Sequence, residues 1–132
     1  MSCVLVVDDE PITRMLLRQL LEREDHRVIK ADTGEESLHL LRCEVVDVVL
    51  LDIALPGVDG CTICSRIRDE VSSPPPVLMI TGPADEEAVE RAFLAGAVDY
   101  SRKPLYWPVP KNRLRSILAA RQTSAGQAEA AP

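Results

Sequence analysis

The chain has 132 residues, a length that fits one domain, and 46% of them are hydrophobic while 3% are aromatic. A core built from aliphatic side chains is therefore expected. The formal net charge of −6 argues against nucleic-acid binding by this domain, and no apolar run approaches the roughly 20 residues that cross a bilayer. These properties predict a cytoplasmic protein without a membrane segment.

Five short runs predict β-strands. Four of them are almost wholly apolar, as strands buried on both faces of a parallel sheet are, and the weaker second run is typical of an edge strand. The predicted strands cover residues 3–7, 27–31, 45–51, 76–80 and 97–100.

Helical periodicity fills the segments between and after these runs. The first helix begins at Pro11 and is expected to bury one face, formed by Ile12, Met15, Leu16 and Leu20. Thr33 and Glu36 have the spacing of a capping box at the start of the second helix, which continues through Leu38 and Leu41.

Three further helices complete the pattern. The third begins near Gly60, with Ile63, Cys64 and Ile67 inward; the fourth begins near residue 85, with Val89, Ala92 and Phe93 inward, and ends at Gly96; the fifth covers 108–121. Strand and helix alternate five times, which predicts an α/β domain with a doubly wound parallel sheet. Residues 122–132 carry little to bury and are expected to be disordered.

Polar residues follow four of the predicted strands at their carboxyl ends, where open α/β sheets bind ligands. They are Asp8, Asp9 and Glu10, then Asp52, Thr81 and Lys103. Adjacent carboxylates repel each other unless a cation lies between them, and oxygen ligands favour a hard ion such as Mg²⁺. A carboxylate can also attack phosphorus when a metal and a cation neutralise the charge.

Four segments carry a family resemblance: Val7 to Pro11 (VDDEP), Leu50 to Gly60 (LLDIALPGVDG), Thr81-Gly82, and Asp99 to Pro104 (DYSRKP). Together they resemble the receiver domains of two-component response regulators, over residues 3 to about 121. The resemblance implies a flavodoxin-like fold with five parallel strands in the order 2-1-3-4-5 and five helices. It also implies a receiver domain at 1–121, followed by a tail or linker at 122–132.

The resemblance implies a role for each residue of the site. Asp52 would accept a phosphoryl group from a sensor histidine kinase or a phosphotransfer protein. Mg²⁺ would be bound by Asp52, Asp9 and the backbone carbonyl of Ala54, with Asp8 acting through a water. Lys103 would bind a phosphoryl oxygen as a point charge. The chain would catalyse its own phosphorylation and dephosphorylation only, and would not be an enzyme in the usual sense.

The same resemblance implies how the signal is read. Thr81 would turn its hydroxyl toward the phosphate, and Tyr100 would follow into the vacated space as the switch aromatic. Helix 4, strand 5 and helix 5 would then contact an output domain or a downstream partner, and phosphorylation could produce a homodimer. The Lys103-Pro104 bond is a candidate cis peptide, as in the family.

Two departures from the family pattern matter. Ala54 and Pro83 occupy the variable positions beside the site, and neither has a polar side chain to orient an attacking water. We therefore expect the phosphoryl lifetime to depend mainly on partner phosphatases. Trp107-Pro108 is similar to the start of the fifth helix in receivers fused to diguanylate cyclase domains, which makes cyclic-di-GMP synthesis the leading expectation for an attached output domain.

Two other functions remain open from the residues alone. A phosphatase of the haloacid-dehalogenase kind would use Asp8 as the nucleophile and Glu10 as the acid, but would leave Asp52 unexplained. A pseudo-receiver would bind partners without phosphorylation, although such proteins usually lack one of the site residues. Cys61 and Cys64 have C-x-x-C spacing, yet no second ligand pair accompanies them, and core packing is the favoured interpretation.

Overall fold

The computed structural model describes the backbone of residues 2–82 and 86–130 and the side chains of 2–82 and 86–121. Strands and helices alternate throughout. In chain order the elements are β1 (Cys3–Val7), α1 (Pro11–Arg23), β2 (Arg27–Ala31), α2 (Gly34–Cys43), β3 (Val48–Asp52), α3 (Gly60–Glu70), β4 (Val77–Thr81), α4 (Glu86–Leu94), β5 (Asp99–Arg102) and α5 (Pro108–Ala130).

All five strands form one parallel sheet in the order β2-β1-β3-β4-β5, which confirms the predicted flavodoxin-like topology. The register pairs Val7 with Leu51 and Asp52 with Ile80, so the carboxyl ends of β1, β3 and β4 lie side by side. The order reverses between β1 and β3, and this is the position at which such sheets bind ligands. The sheet therefore brings Asp8 and Asp52 to the same edge.

Each face of the sheet has its own apolar core, as the unalternating strands predict. One core lies under α2, α3 and α4, and its largest buried side chains are Leu5, Leu38, Leu51, Ile63, Ile67 and Met79. The other lies under α1 and α5, and it is built from Val4, Val6, Leu17, Leu21, Val48, Leu50, Leu78, Leu114 and Leu118. Packing therefore fixes the side chains of β3 on both faces of the sheet.

Helix caps define several element boundaries. The Thr33 side chain accepts a hydrogen bond from the backbone N–H of Glu36 at 3.1 Å, which confirms the predicted cap of α2. At the start of α3, the Asp59 side chain accepts from the N–H of Thr62 at 3.0 Å. Gly96, after α4, has a φ of 109°, a left-handed conformation that favours glycine.

The predicted inward faces of α1 and α4 are partly wrong, although Ala92 of α4 is buried as predicted. Helix α1 buries Leu17 and Leu21, whereas the predicted residues Ile12, Met15 and Leu16 are exposed. Helix α4 buries Ala88 and Ala92, while Phe93 is 45% exposed. In α1 two adjacent stripes both satisfy the helical period, and only packing against the sheet selects one of them.

The element boundaries also differ from prediction. Strand β3 consists of residues 48–52, where 45–51 was predicted, and Val45 is exposed before the strand begins. Strand β5 consists of residues 99–102 and starts two residues later than the apolar pair Ala97 and Val98 suggested, because Ala97 packs in the core before the strand begins. The backbone of 122–130 continues α5, where a disordered tail was expected. Alanine, glutamine and glutamate in this segment favour helix. Residues 131–132 lie outside the described part.

Among the described residues, no helix combines the length and the apolar character that crossing a membrane requires.

Candidate functional site

The carboxyl edge of the sheet holds a cluster of two buried acids and one ammonium group. Asp8 is 2% exposed and Asp52 is 4% exposed. The Lys103 Nζ lies 2.9 Å from Asp52 Oδ2 and 3.4 Å from Asp8 Oδ2. Buried carboxylates are costly unless a positive charge compensates them, so Lys103 neutralises part of the negative charge at this edge.

The backbone around β3 fixes the Asp52 carboxylate. The N–H of Ala54 donates to Asp52 Oδ1 at 3.0 Å, while the other oxygen faces Lys103. The N–H of Ile53 donates to the carbonyl of Ile80 at 3.0 Å, which ties this turn to β4. Hydrogen bonds therefore orient both oxygens of Asp52, and they hold the carboxylate at the carboxyl edge of the sheet.

Glycine at position 60 allows the start of α3 to approach this turn. A Cβ at Gly60 would lie 2.5 Å from the carbonyl oxygen of Asp52 and 2.6 Å from the Cα of Ile53. Both atoms belong to the backbone, so no side-chain rotation could relieve the contact. The N–H of Gly60 also donates to the carbonyl of Ile53 at 2.8 Å. Gly60 is thus part of the structure that positions Asp52.

The electrostatics of the cluster depend on its burial. Burial raises the pKa of Asp8, the N–H of Glu10 opposes this, and the Asp52 charge adds to the rise. For Lys103, burial alone would lower the pKa, but the hydrogen bond to Asp52 and the charges of Asp52 and Asp8 outweigh it, so the pKa is raised. Lys103 therefore keeps its positive charge at neutral pH.

Asp9 completes a set of three carboxylates. One oxygen each from Asp8, Asp9 and Asp52 lies within 4.8 Å of the others, and Asp9 is exposed while the other two are buried. An all-oxygen set of this kind suits a hard divalent cation. Asp8 accepts hydrogen bonds from the Glu10 N–H and the Lys103 ammonium, and Asp52 accepts from the Ala54 N–H and the same ammonium, so the exposed Asp9 is the carboxylate most open to an ion.

A buried hydroxyl lies at the end of the neighbouring strand. Thr81 is fully buried, and its Oγ1 has no hydrogen-bond partner among the described residues. An unsatisfied buried hydroxyl costs roughly 1–3 kcal/mol, so its presence at a strand end beside an acid cluster points to a ligand that would satisfy it. The Thr81 carbonyl accepts from the N–H of Lys103 at 2.7 Å, which joins the two residues through the backbone.

We therefore expect a Thr81→Val variant to be as stable as the wild-type chain or more stable. The gain in the free energy of unfolding would be at most about 1–3 kcal/mol. Valine has nearly the same shape and removes a hydroxyl that has no hydrogen-bond partner within residues 2–82 and 86–121. The free energy of unfolding from urea denaturation measures the change. As a control, Ser37→Ala should lose stability, because the Ser37 hydroxyl donates to the Gly34 carbonyl. A Thr81→Val variant weakened as much as Ser37→Ala would show that Thr81 has a structural bond.

The predicted switch residue Tyr100 lies on β5, partly exposed, in an aromatic and cationic setting. Its ring meets Phe93 edge-on with centroids 5.9 Å apart. The guanidinium carbons of Arg113 and Arg102 lie 5.1 and 5.7 Å from the ring centroid. Arg113 also pairs with Asp99 at 3.3 Å. The Arg113 contact could not be foreseen from the sequence, since it joins α5 to β5, whereas Arg102 lies on the same strand as Tyr100.

Other predicted residues can also be placed. The Lys103-Pro104 bond is cis, as predicted. Trp107 packs, half-buried, against the core under α1 and α5. Cys64 is buried, and burial together with the Cys61 charge raises its pKa to about 11, which agrees with a packing role. Ala54 is exposed beside Asp52, whereas Pro83 lies outside the described residues, so the lifetime hypothesis stays a prediction.

Sequence comparison places these features among known proteins. The family model for the response regulator receiver domain matches residues 4–118. The transcriptional regulatory protein AfsQ1 of Streptomyces coelicolor is 37% identical over 120 residues, which cover 89% of this chain and 52% of AfsQ1. Protein PilH of Pseudomonas aeruginosa is 33% identical over 120 residues, which cover 90% of this chain and 99% of PilH. The chain thus spans about half the length of AfsQ1.

Structural comparison gives the same family. The BeF3-activated N-terminal receiver domain of RstA from Klebsiella pneumoniae superposes with a TM-score of 0.81 at 30% identity. The match covers 89% of this chain and 98% of the RstA domain. The residues matched by the family model, 4–118, include the acid cluster, Thr81 and Lys103.

Proposed function

The chain belongs to the receiver domains of two-component response regulators, and from this premise we propose that Asp52 is its phosphoacceptor. The observation that carries the proposal is the contact between the Asp52 carboxylate and Lys103 at 2.9 Å, inside a cluster that also contains Asp8 and Asp9. A buried carboxylate held by a backbone N–H on one oxygen and an ammonium on the other is oriented for attack on phosphorus.

In the proposed reaction, an oxygen of Asp52 forms a bond to phosphorus while the bond from phosphorus to the donor breaks. The donor is a phosphohistidine of a kinase or phosphotransfer protein, and its imidazole leaves. Asp9, Asp52 and the Ala54 carbonyl would hold Mg²⁺, with Asp8 acting through a water. The ion would neutralise charge on the phosphoryl oxygens. Lys103 would move its ammonium from the free carboxylates to a phosphoryl oxygen, so its positive charge stays inside the site.

Thr81 and Tyr100 would convert the modification into a change of surface. A hydrogen bond from the Thr81 hydroxyl to a charged phosphoryl oxygen is worth about 1.5–3 kcal/mol. Releasing Tyr100 from two partly exposed cation–π contacts costs about 0.5–1 kcal/mol each. The two energies are of similar size, so phosphorylation can shift the conformational equilibrium without either state being locked.

The proposed output surface consists of α4, β5 and α5, where Tyr100 contacts both Phe93 and Arg113. Movement of Tyr100 would change this surface directly, which supports its use for an output domain, a downstream partner or a second copy. The proposed cyclic-di-GMP output rests on Trp107-Pro108 alone.

The alternatives are not favoured. In a phosphatase of the haloacid-dehalogenase kind, Asp8 would be the nucleophile and Glu10 the acid. Yet the Glu10 carboxylate is exposed at the start of α1 and accepts from the Thr13 hydroxyl at 2.9 Å, whereas the buried carboxylate beside Asp8 is that of Asp52. A pseudo-receiver would not need the orphaned Thr81 hydroxyl.

Incubation with acetyl phosphate tests the proposed chemistry. We expect one phosphoryl group per chain in the presence of Mg²⁺ and essentially none in excess EDTA, as measured by intact mass spectrometry. We also expect no sustained turnover of p-nitrophenyl phosphate. Catalytic turnover that is lost in Asp8→Asn and kept in Asp52→Asn would instead establish the phosphatase.

A further inference from the structure

Helix α2 carries a histidine and a cysteine on its exposed face, apart from the phosphorylation site. His39 and Cys43 are four residues apart, a spacing that places both side chains on the same side of a helix. Both residues are exposed. The Cys43 Sγ and the His39 Nε2 are 3.9 Å apart, so the two atoms that commonly bind soft metal ions point toward the same space.

The separation of these two atoms suits joint coordination. In a tetrahedral zinc site, bonds of about 2.3 Å to sulfur and about 2.0 Å to nitrogen place the two ligand atoms about 3.6 Å apart. The observed 3.9 Å is slightly longer, and both side chains lie at the surface, where small rotations about their χ angles are unhindered by core packing. The helix therefore presents a nearly formed bidentate chelate.

The local charges favour a cation at this position. Cys43 is the last residue of α2, and the carbonyl groups at a helix C-terminus carry partial negative charge. The neighbouring cation Arg42 is paired with Glu70 at 3.1 Å, which reduces its repulsion of a metal ion.

The two metal-binding positions are separate and chemically distinct. Helix α2 starts beside the carboxyl edge of the sheet and runs back for 10 residues, roughly 15 Å, so Cys43 lies toward the opposite edge. The acid cluster offers oxygen atoms alone, which suit Mg²⁺, whereas sulfur and imidazole nitrogen select zinc-like ions. An ion bound at α2 would therefore not compete with the ion that serves Asp52.

We propose that His39 and Cys43 bind a borderline or soft divalent cation, with Zn²⁺ as the natural match. The Cys43 thiol releases its proton to solvent as the sulfur–metal bond forms, and neutral His39 donates the lone pair of Nε2. No oxidation or reduction is involved. Water fills the remaining positions, so binding is weaker than in a structural site with four protein ligands.

Cobalt titration of the reduced chain tests this site, because Co²⁺ bound to a thiolate gives a charge-transfer band in the near ultraviolet that carboxylate ligands do not give. We expect the charge-transfer band in the wild-type chain and in a Cys61→Ser control. Added Zn²⁺ should displace Co²⁺ and remove the band. It should disappear in Cys43→Ser, and His39→Gln should bind at least about tenfold more weakly.

Circular dichroism of each variant shows that the fold is kept. Absence of the band in the wild-type chain at saturating Co²⁺ would overturn the proposal. So would a band that persists in Cys43→Ser, or a His39→Gln variant that binds as tightly as the wild-type chain.

Discussion

A Lys103→Met variant is expected to gain the phosphoryl group from acetyl phosphate about 10²-fold more slowly than the wild-type chain, because removing one preorganised donor to a developing oxyanion typically costs 10²–10³ in rate. Methionine keeps most of the length of the side chain but removes the ammonium that lies 2.9 Å from Asp52. The rate of mass increase at saturating Mg²⁺ measures the effect.

The control for Lys103 is Lys30→Met, which removes an exposed ammonium from β2. This variant should be phosphorylated at the wild-type rate. Magnesium binding, followed by calorimetry, should be kept in Lys103→Met, since Asp9 and Asp52 are unchanged. A normal phosphorylation rate in Lys103→Met would mean that the ammonium only balances the resting charge of the acids and does not assist the transfer.

Among substitutions near the site that add one methyl group, Gly60→Ala should cause the largest loss of stability. In Gly60→Ala the new Cβ would meet the Asp52 carbonyl and the Ile53 Cα, and the start of α3 must move away from β3. Overpacking of this kind costs about 1–3 kcal/mol. We expect a matching fall in the free energy of unfolding, together with slower phosphorylation, because the displaced backbone carries Asp52 itself.

A matched substitution separates crowding from the general effect of adding a methyl group. Gly82→Ala places its Cβ where none of the residues that the structure describes lies within 4 Å, so its stability should stay close to that of the wild-type chain. Equal unfolding energies for Gly60→Ala and Gly82→Ala would show that α3 can shift without cost.

The topology and the edge that gathers the polar residues could be predicted from the sequence. Unalternating apolar runs and short connections allow few arrangements, and residues at the ends of parallel strands must meet. The strand order itself came from the resemblance. The contacts between Asp8, Asp52 and Lys103 agree with that expectation, while their individual roles stay predictions.

Features that depend on packing could not be predicted. The exposed stripe of Ile12, Met15 and Leu16 on α1 has the same period as the buried residues Leu17 and Leu21. Periodicity alone therefore could not identify the buried stripe. That no side chain in the described part of the chain bonds to the Thr81 hydroxyl depends on the positions of all its neighbours. The contacts of Tyr100 with Arg113 depend on how α5 lies against β5, which no local pattern encodes.

The central claim is that Asp52 itself receives the phosphoryl group, and intact mass spectrometry of the wild-type chain and Asp52→Asn after incubation with acetyl phosphate and Mg²⁺ tests it most directly. Asparagine keeps the shape of the side chain but is a far weaker nucleophile. The account predicts one phosphoryl group on the wild-type chain and none on Asp52→Asn. A phosphoryl group of the same abundance on the Asp52→Asn chain would contradict it.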